Sequence, residues 1–227
     1  MRALTAAEVL STWERSTGHP PLRQALELLA QAAPERSLDE WAELPYGQFC
    51  RGLFQLRALM FGPVMPGVVS CPRCGERLEF SFECRLVENG PAAPTGPVRF
   101  DFQERAVEMR LPAAADLLEA RSADELFSRC TTGAVEPNQA LIRAASECVT
   151  DADPLSETVL DLVCAACGHS WQAFLDIAGY LRSEIAHEAR RLLGEVHRLA
   201  SAYGWPEDAI LALSPPRRGA YLDLAEL

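Results

Sequence analysis

Lysine is missing from this chain. All 21 basic residues are arginine, set against 32 aspartates and glutamates, and the formal net charge is -11. A field of that sign repels phosphate backbones at long range, so nucleic acid is an unfavourable partner. The acidic residues are scattered and do not gather in a tail, which is the pattern of a solvated surface. Long apolar runs are absent as well: no segment approaches the roughly 18 consecutive apolar residues of a membrane span. Met1 to Leu10 holds one arginine and no apolar run ahead of Thr5 and Glu8. It does not read as a signal peptide, and a cytoplasmic protein without a membrane partner is expected. The local signatures of common catalytic machinery are missing too. There is no phosphate-cradling glycine loop and no nucleophile elbow. Glu184, His187 and Glu188 share one stretch, but their order and spacing are not those of a metalloprotease helix. Asp101, Glu104 and Glu108 have no evident positioned partner. No enzyme is expected from these residues.

What is present is an ordinary globular composition, 48% hydrophobic and 23% charged over 227 residues, enough to bury a core without disulfides. The patterning predicts an α+β protein. Thr5 with Glu8 and Ser37 with Glu40 have the spacing of capping boxes, and Pro21 suits a first helical turn. Phe49, Leu53, Leu56 and Met60 recur at helical spacing. Pro63, Pro66 and Gly67 end that pattern, giving a helical N-terminal region over 1–67. Alternation then takes over in Leu78 to Phe82, in Val98 to Phe102 and in Val107 to Leu111, the last two reading as a hairpin. A Pro/Gly/Ala loop is expected over 90–97, and helices over 113–130 and 138–149. Val159 to Val163 and Trp171 to Leu175 read as strands. The longest helix is expected over 177–203, stopped by Gly204-Trp205-Pro206 and followed by two short helices in a C-terminal helical region, 177–227.

The cysteines carry the strongest signal. Cys71-Pro-Arg-Cys74-Gly75 and Cys164-Ala-Ala-Cys167-Gly168 match one another. In a knuckle of this kind the two-residue gap turns both sulfurs toward one ion, and the glycine takes a positive φ as the chain leaves into a strand. Two knuckles supply four ligands, so one structural Zn2+ per chain in a closed site is expected. In a cytosolic protein such pairs indicate metal or redox chemistry. A redox dithiol places its first cysteine at a helix N-terminus, whereas here a glycine and a strand follow each pair. The 89 residues between Cys74 and Cys164 make the ribbon discontinuous, with halves at 68–88 and 157–176 inside a 68–176 unit and an inserted hairpin and helices over 97–155. Cys84 and His169 are secondary ligand candidates. Cys50, Cys130 and Cys148 read as small core residues. Arg73 and Arg77 are outnumbered around the knuckles by Glu76, Glu79, Glu83 and Asp176, which again disfavours a nucleic-acid ribbon.

Several stretches taken together carry a family likeness: ALTAAEVLSTWERSTGHPPLRQALELLA, LRALMFGP, CPRCGERLEF, CAACGHSWQAFLDI and SEIAHEARRLLGEVHRLASAYGWPEDAILALSPPRRGAYLDL. The chain resembles the baseplate hub assembly chaperone family of T-even phages, in the Cys-rich form found in bacterial contractile (phage tail-like) injection system clusters. The resemblance implies a non-enzymatic assembly factor whose partners are baseplate hub or spike proteins. The alternative within the same setting is a resident structural zinc-binding subunit of the baseplate. Trp205, Ile210, Leu211, Leu213, Arg217, Arg218 and Tyr221 form a compact set beyond the long helix and are the expected partner-binding surface. On that expectation, deleting 205–227 removes client binding and leaves a soluble core.

Overall fold

A computed structural model describes residues 1–84, 93, 94, 96–133 and 135–225. The class is α+β, as the patterning predicts. The first four helices are α1 (Ala6–Ser16), α2 (Pro21–Ala32), α3 (Leu38–Ala42) and α4 (Tyr46–Phe61). Both expected capping boxes are formed, by Thr5 with Glu8 and by Ser37 with Glu40. Each satisfies two backbone N–H groups that a helix start leaves without partners.

Gly62 closes α4 at a φ of 89°, and the first strand starts at Val64, so the helical region ends before the expected residue 67. Pro66 and Gly67 lie inside β1 (Val64–Ser70), which pairs antiparallel with β2 (Arg77–Glu83). A two-stranded ladder has two open edges, where a residue without an N–H is tolerated. Gly67 leaves room for its neighbour: a Cβ there would sit 2.3 Å from the Phe80 ring unless the ring moved.

The inserted segment adds a small second core and also packs on the main one through Ala114, Leu118 and Leu155. Strands β3 (Val98–Phe102) and β4 (Arg105–Met109) are joined through Gln103 and Glu104, at φ of 49° and 62°, the left-handed pair that matches hairpin twist. The single helix expected over 113–130 is two, α5 (Ala114–Glu119) and α6 (Ala123–Cys130). Ser122 accepts from the Glu125 N–H and starts α6 afresh, a cap signal inside what reads as one apolar pattern. Helix α7 (Gln139–Ala152) is capped by Asn138. Val107, Met109, Phe127, Cys130, Leu141 and Ala145 form this module's small core. Of the loop expected over 90–97, residues 90–92 and 95 lie outside the described residues, and 93, 94, 96 and 97 are in neither helix nor strand.

A third hairpin, β5 (Val159–Val163) with β6 (Ser170–Phe174), leads into α8 (Ile177–Tyr203), capped by Asp176 and closed by Gly204 in the left-handed conformation. Two short helices follow, α9 (Glu207–Leu211) and α10 (Pro215–Ala225). The three hairpins form three separate two-stranded sheets. The main core belongs to helices from both ends of the chain: Leu26 and Leu29 of α2 and Phe49, Leu53 and Leu56 of α4 cluster with Leu181, Ile185, Ala189 and Leu192 of α8. The N-terminal and C-terminal helical regions, separate in sequence, therefore share one apolar interior.

Candidate metal centre

Each cysteine knuckle is shaped by the same pair of backbone hydrogen bonds. The Cys71 N–H donates to the Glu76 carbonyl at 2.8 Å and the Gly75 N–H to the Cys71 carbonyl at 2.9 Å. In the second knuckle Cys164 donates to His169 and Gly168 to Cys164 at the same distances, 2.8 and 2.9 Å. Gly75 and Gly168 both take a positive φ, 77° and 67°, where a side chain would be strained. The two turns are thus near copies, and each hangs at the end of its own hairpin, β1–β2 or β5–β6.

The fold brings the four sulfurs of Cys71, Cys74, Cys164 and Cys167 within 4.8 Å of one another. The Cys71–Cys167 and Cys74–Cys164 separations are 3.8 and 3.6 Å. Four sulfurs each about 2.3 Å from one ion have a tetrahedral edge of about 3.8 Å, so the cluster fits a tetrahedral metal. The electrostatics agree. Burial opposes the Cys71 thiolate, but the backbone N–H groups of Cys74 and Arg73 and the adjacent thiols outweigh it and bring that thiol down to about 7. At Cys74 the Glu76 N–H favours the thiolate, yet burial and the other three sulfurs prevail and push the thiol up to about 12. The sulfurs compete for negative charge; a cation between them lets all four ionise.

The secondary candidates fall outside the cluster. Cys84 follows the far end of β2, where its N–H donates to the Pro63 carbonyl and its side chain joins the main core. His169 contributes a backbone carbonyl to its knuckle while its ring stacks on Trp171 at 5.9 Å. Cys50 and Cys130 are buried core thiols, pushed up by burial to about 12 and about 11. Cys148 is only half-buried, so its reading as a core residue does not hold.

One junction had no signal in the sequence. Arg57, 2% exposed, holds Glu184 of α8 through Nε and Nη2 at 3.0 and 2.8 Å and donates Nη1 to the Gly62 and Val64 carbonyls. The Tyr180 hydroxyl donates to the Pro66 carbonyl. These contacts fasten the root of β1 to α8 and so set where the first knuckle points. An arginine inside a helical apolar pattern reads as a surface residue until its partner, 127 positions away, is known.

The expected partner-binding set divides. Ile210 is fully buried and Arg218 is 3% exposed, so these two are interior residues that no partner touches first. Arg218 donates Nε to Glu195 at 2.9 Å and Nη1 to the Leu213 carbonyl, locking α10 to α8. Trp205, Leu211, Leu213 and Tyr221 are half-buried and Arg217 is exposed. Tyr203, Trp205 and Tyr221 pack as an aromatic trio, with Trp205 edge-on to Tyr221 at 4.8 Å. Deleting 205–227 would strip Ile210 and Leu222 from Leu199 and leave Glu195 buried without Arg218, so it damages the fold along with any surface.

No protein-family model, curated protein or solved structure matches the chain. Its class is therefore defined by what its own residues build: an α+β chain with a four-cysteine cluster able to hold one metal ion. Among the described residues no helix is long and apolar enough to cross a membrane.

Proposed function

We propose that this chain is a non-enzymatic, zinc-stabilised assembly factor that holds a client subunit of the baseplate hub in a phage tail-like contractile injection system. The observation that carries the zinc-stabilised part is the donor set. Four thiolates fill the tetrahedron zinc prefers and leave no position for water or substrate, the arrangement of a structural rather than a catalytic ion. Thiolate ligands in a fourfold set favour zinc over the hard, oxygen-seeking cations. In this role Cys71, Cys74, Cys164 and Cys167 hold the metal, and the metal supplies rigidity.

The baseplate assignment rests on the sequence likeness of the N-terminal helices, the knuckles and the C-terminal block. A net charge of -11 is consistent with a protein partner and not with nucleic acid. The remaining accessible part of the C-terminal unit, Trp205, Leu211, Leu213, Tyr221 and Arg217, is the client surface in this reading; Arg217 lies 5.8 Å above the Tyr221 ring. A resident baseplate subunit is the second reading, and the metal clip favours it, because a permanent part gains more from a fixed shape than a transient one. Mass spectrometry of proteins co-purified from the native host, and of particles isolated from the same cells, separates the two. An assembly factor co-purifies with hub or spike proteins and is absent from mature particles; a resident subunit is present there at fixed copy number. Co-purification without any tail component overturns both.

A further inference from the structure

The four sulfurs of the cluster differ in their access to solvent. Cys71 and Cys164 are 2% and 1% exposed, Cys167 is half-buried and Cys74 is exposed. A thiolate sealed in a core is out of reach of an oxidant, whereas this cluster presents one cysteine at the surface. The sulfurs also meet in a particular pattern. The contacts with hydrogen-bond geometry run across the knuckles, Cys71 to Cys167 at 3.8 Å and Cys74 to Cys164 at 3.6 Å. Within the first knuckle each sulfur has its own backbone donors, the Arg73 and Cys74 N–H groups for Cys71 and the Glu76 N–H for Cys74. Each sulfur is thus anchored on its own turn and faces a sulfur of the other. Closing either contact to the roughly 2.05 Å of an S–S bond takes a movement of about 1.6–1.8 Å. The knuckles end two separate two-stranded hairpins, elements pliant enough to supply it.

We propose that the cluster is an oxidative modification site, in which hydrogen peroxide displaces the metal and leaves two disulfides across the knuckles, Cys74–Cys164 and Cys71–Cys167. The peroxide transfers one oxygen to the exposed Cys74 sulfur. Its O–O bond breaks, the sulfur becomes a sulfenic acid, and the other oxygen leaves as water. The Cys164 sulfur then attacks Cys74: the S–S bond forms, the S–O bond breaks, and hydroxide takes a proton to leave as water. For each disulfide two thiolates give up two electrons, one peroxide is reduced, and two protons complete two waters. An ion left with two thiolates is held weakly and departs. Cys167, the more accessible of the second pair, takes the next oxygen and Cys71 displaces it in the same way. The product keeps the clip. A Cys74–Cys164 disulfide closes the same 89 intervening residues as the metal does, whereas a link within one knuckle unties the hairpins. Neither knuckle begins a helix, so this is a modification of the site and not the chemistry of a catalytic dithiol. The proposal rests on the metal part of the reading above and is independent of the baseplate part.

The test uses the full-length chain, reduced and zinc-loaded, with about two equivalents of hydrogen peroxide per chain, the amount the balance requires. About one zinc per chain should be released to a chromophoric chelator. Peptide mapping by mass spectrometry should find Cys74 joined to Cys164 and Cys71 joined to Cys167. In excess EDTA the oxidised chain should melt roughly 9–18 °C above the reduced chain, the shift expected from closing about 90 residues. Any other pairing of the four cysteines, within a knuckle above all, overturns the proposal. So does zinc held through the treatment, or sulfinic acid formed without disulfides. An oxidised chain that melts no higher than the reduced chain in EDTA also overturns it. A reduced chain that takes up no zinc refutes the metal reading alone, and the linkage map still decides the proposal.

Discussion

Replacing Cys167 with serine removes one of the four sulfurs and tests the metal clip directly. The intact site closes a loop with 89 residues between Cys74 and Cys164. By the loop-entropy relation for cross-links, a closure of that length removes about 4.6 kcal/mol of unfolded-state freedom at 25 °C. Ordinary domains are stable by only about 5–15 kcal/mol, so losing the clip is a large change. At about 2–4 °C per kcal/mol for a chain of this size, the melting temperature should fall by roughly 9–18 °C. The loss should not be uniform. Leu26, Leu29, Phe49 and Leu53 are fully buried in the helical core and need no metal. No side chain of β5 or β6 is fully buried, so packing alone holds that hairpin weakly. Hydrogen exchange should therefore show lost protection over 159–174 and at Cys71 and Cys164, with α4 and α8 still protected. Elemental analysis should give about one zinc per chain in the parent, by the stoichiometry of a four-thiolate site, and less in the variant. Unchanged melting and unchanged exchange in Cys167→Ser, or in the chelated parent chain, would refute the reasoning: the hairpins would then be held by packing.

Two further predictions concern how the modules are joined. Arg57→Met leaves Glu184 and the Gly62 and Val64 carbonyls without their donor, and should cost about 3–5 kcal/mol, read as a lower urea midpoint. Asp153 is buried against the Gly47 N–H at 2.8 Å, and burial, partly offset by that N–H and Arg51, raises its carboxyl above the ordinary carboxylate range. A raised acid pKa means that the folded state holds the proton more firmly than the unfolded one. Stability from this group should then decline as pH rises from the ordinary aspartate range through the raised value. Asp153→Asn should abolish that dependence in denaturation curves while keeping an acceptor for Gly47. Gly47→Ala at the same contact puts a Cβ 1.9 Å from Asp153 Oδ1 and should cost about 1–3 kcal/mol by the same assay.

Much of the fold is readable locally because its signals are local. The capping boxes of Thr5 with Glu8 and Ser37 with Glu40, the Asn138 cap and the Gly204 stop act within a turn of the residues that carry them. The two matching knuckles announce their own geometry through a fixed gap and a following glycine. The misread boundaries have equally local causes. Pro66 and Gly67 look like breakers but are tolerated inside an open-edged hairpin, and Ser122 restarts a helix within an apolar run. Ile210 and Arg218 look like surface candidates in a list of residues, because nothing near them in sequence reveals Leu199 and Glu195 on the facing helix.

The sequence by itself therefore determined most of the elements, the class and the four metal-ligand candidates, all of which depend on residues a few positions apart. Only the tertiary structure decided that helices from the two ends share a core, that Arg57 anchors β1 to α8, and that the C-terminal set is half interior. It also decided that the knuckle hairpins stand apart over the first half of α8, with Val69 and Phe80 on one wall of the cleft and Leu160 and Leu162 on the other. Those outcomes depend on pairings across long stretches of chain, such as the 127 positions from Arg57 to Glu184. Burial is a property of both partners in a contact, and one partner's sequence carries only half of it.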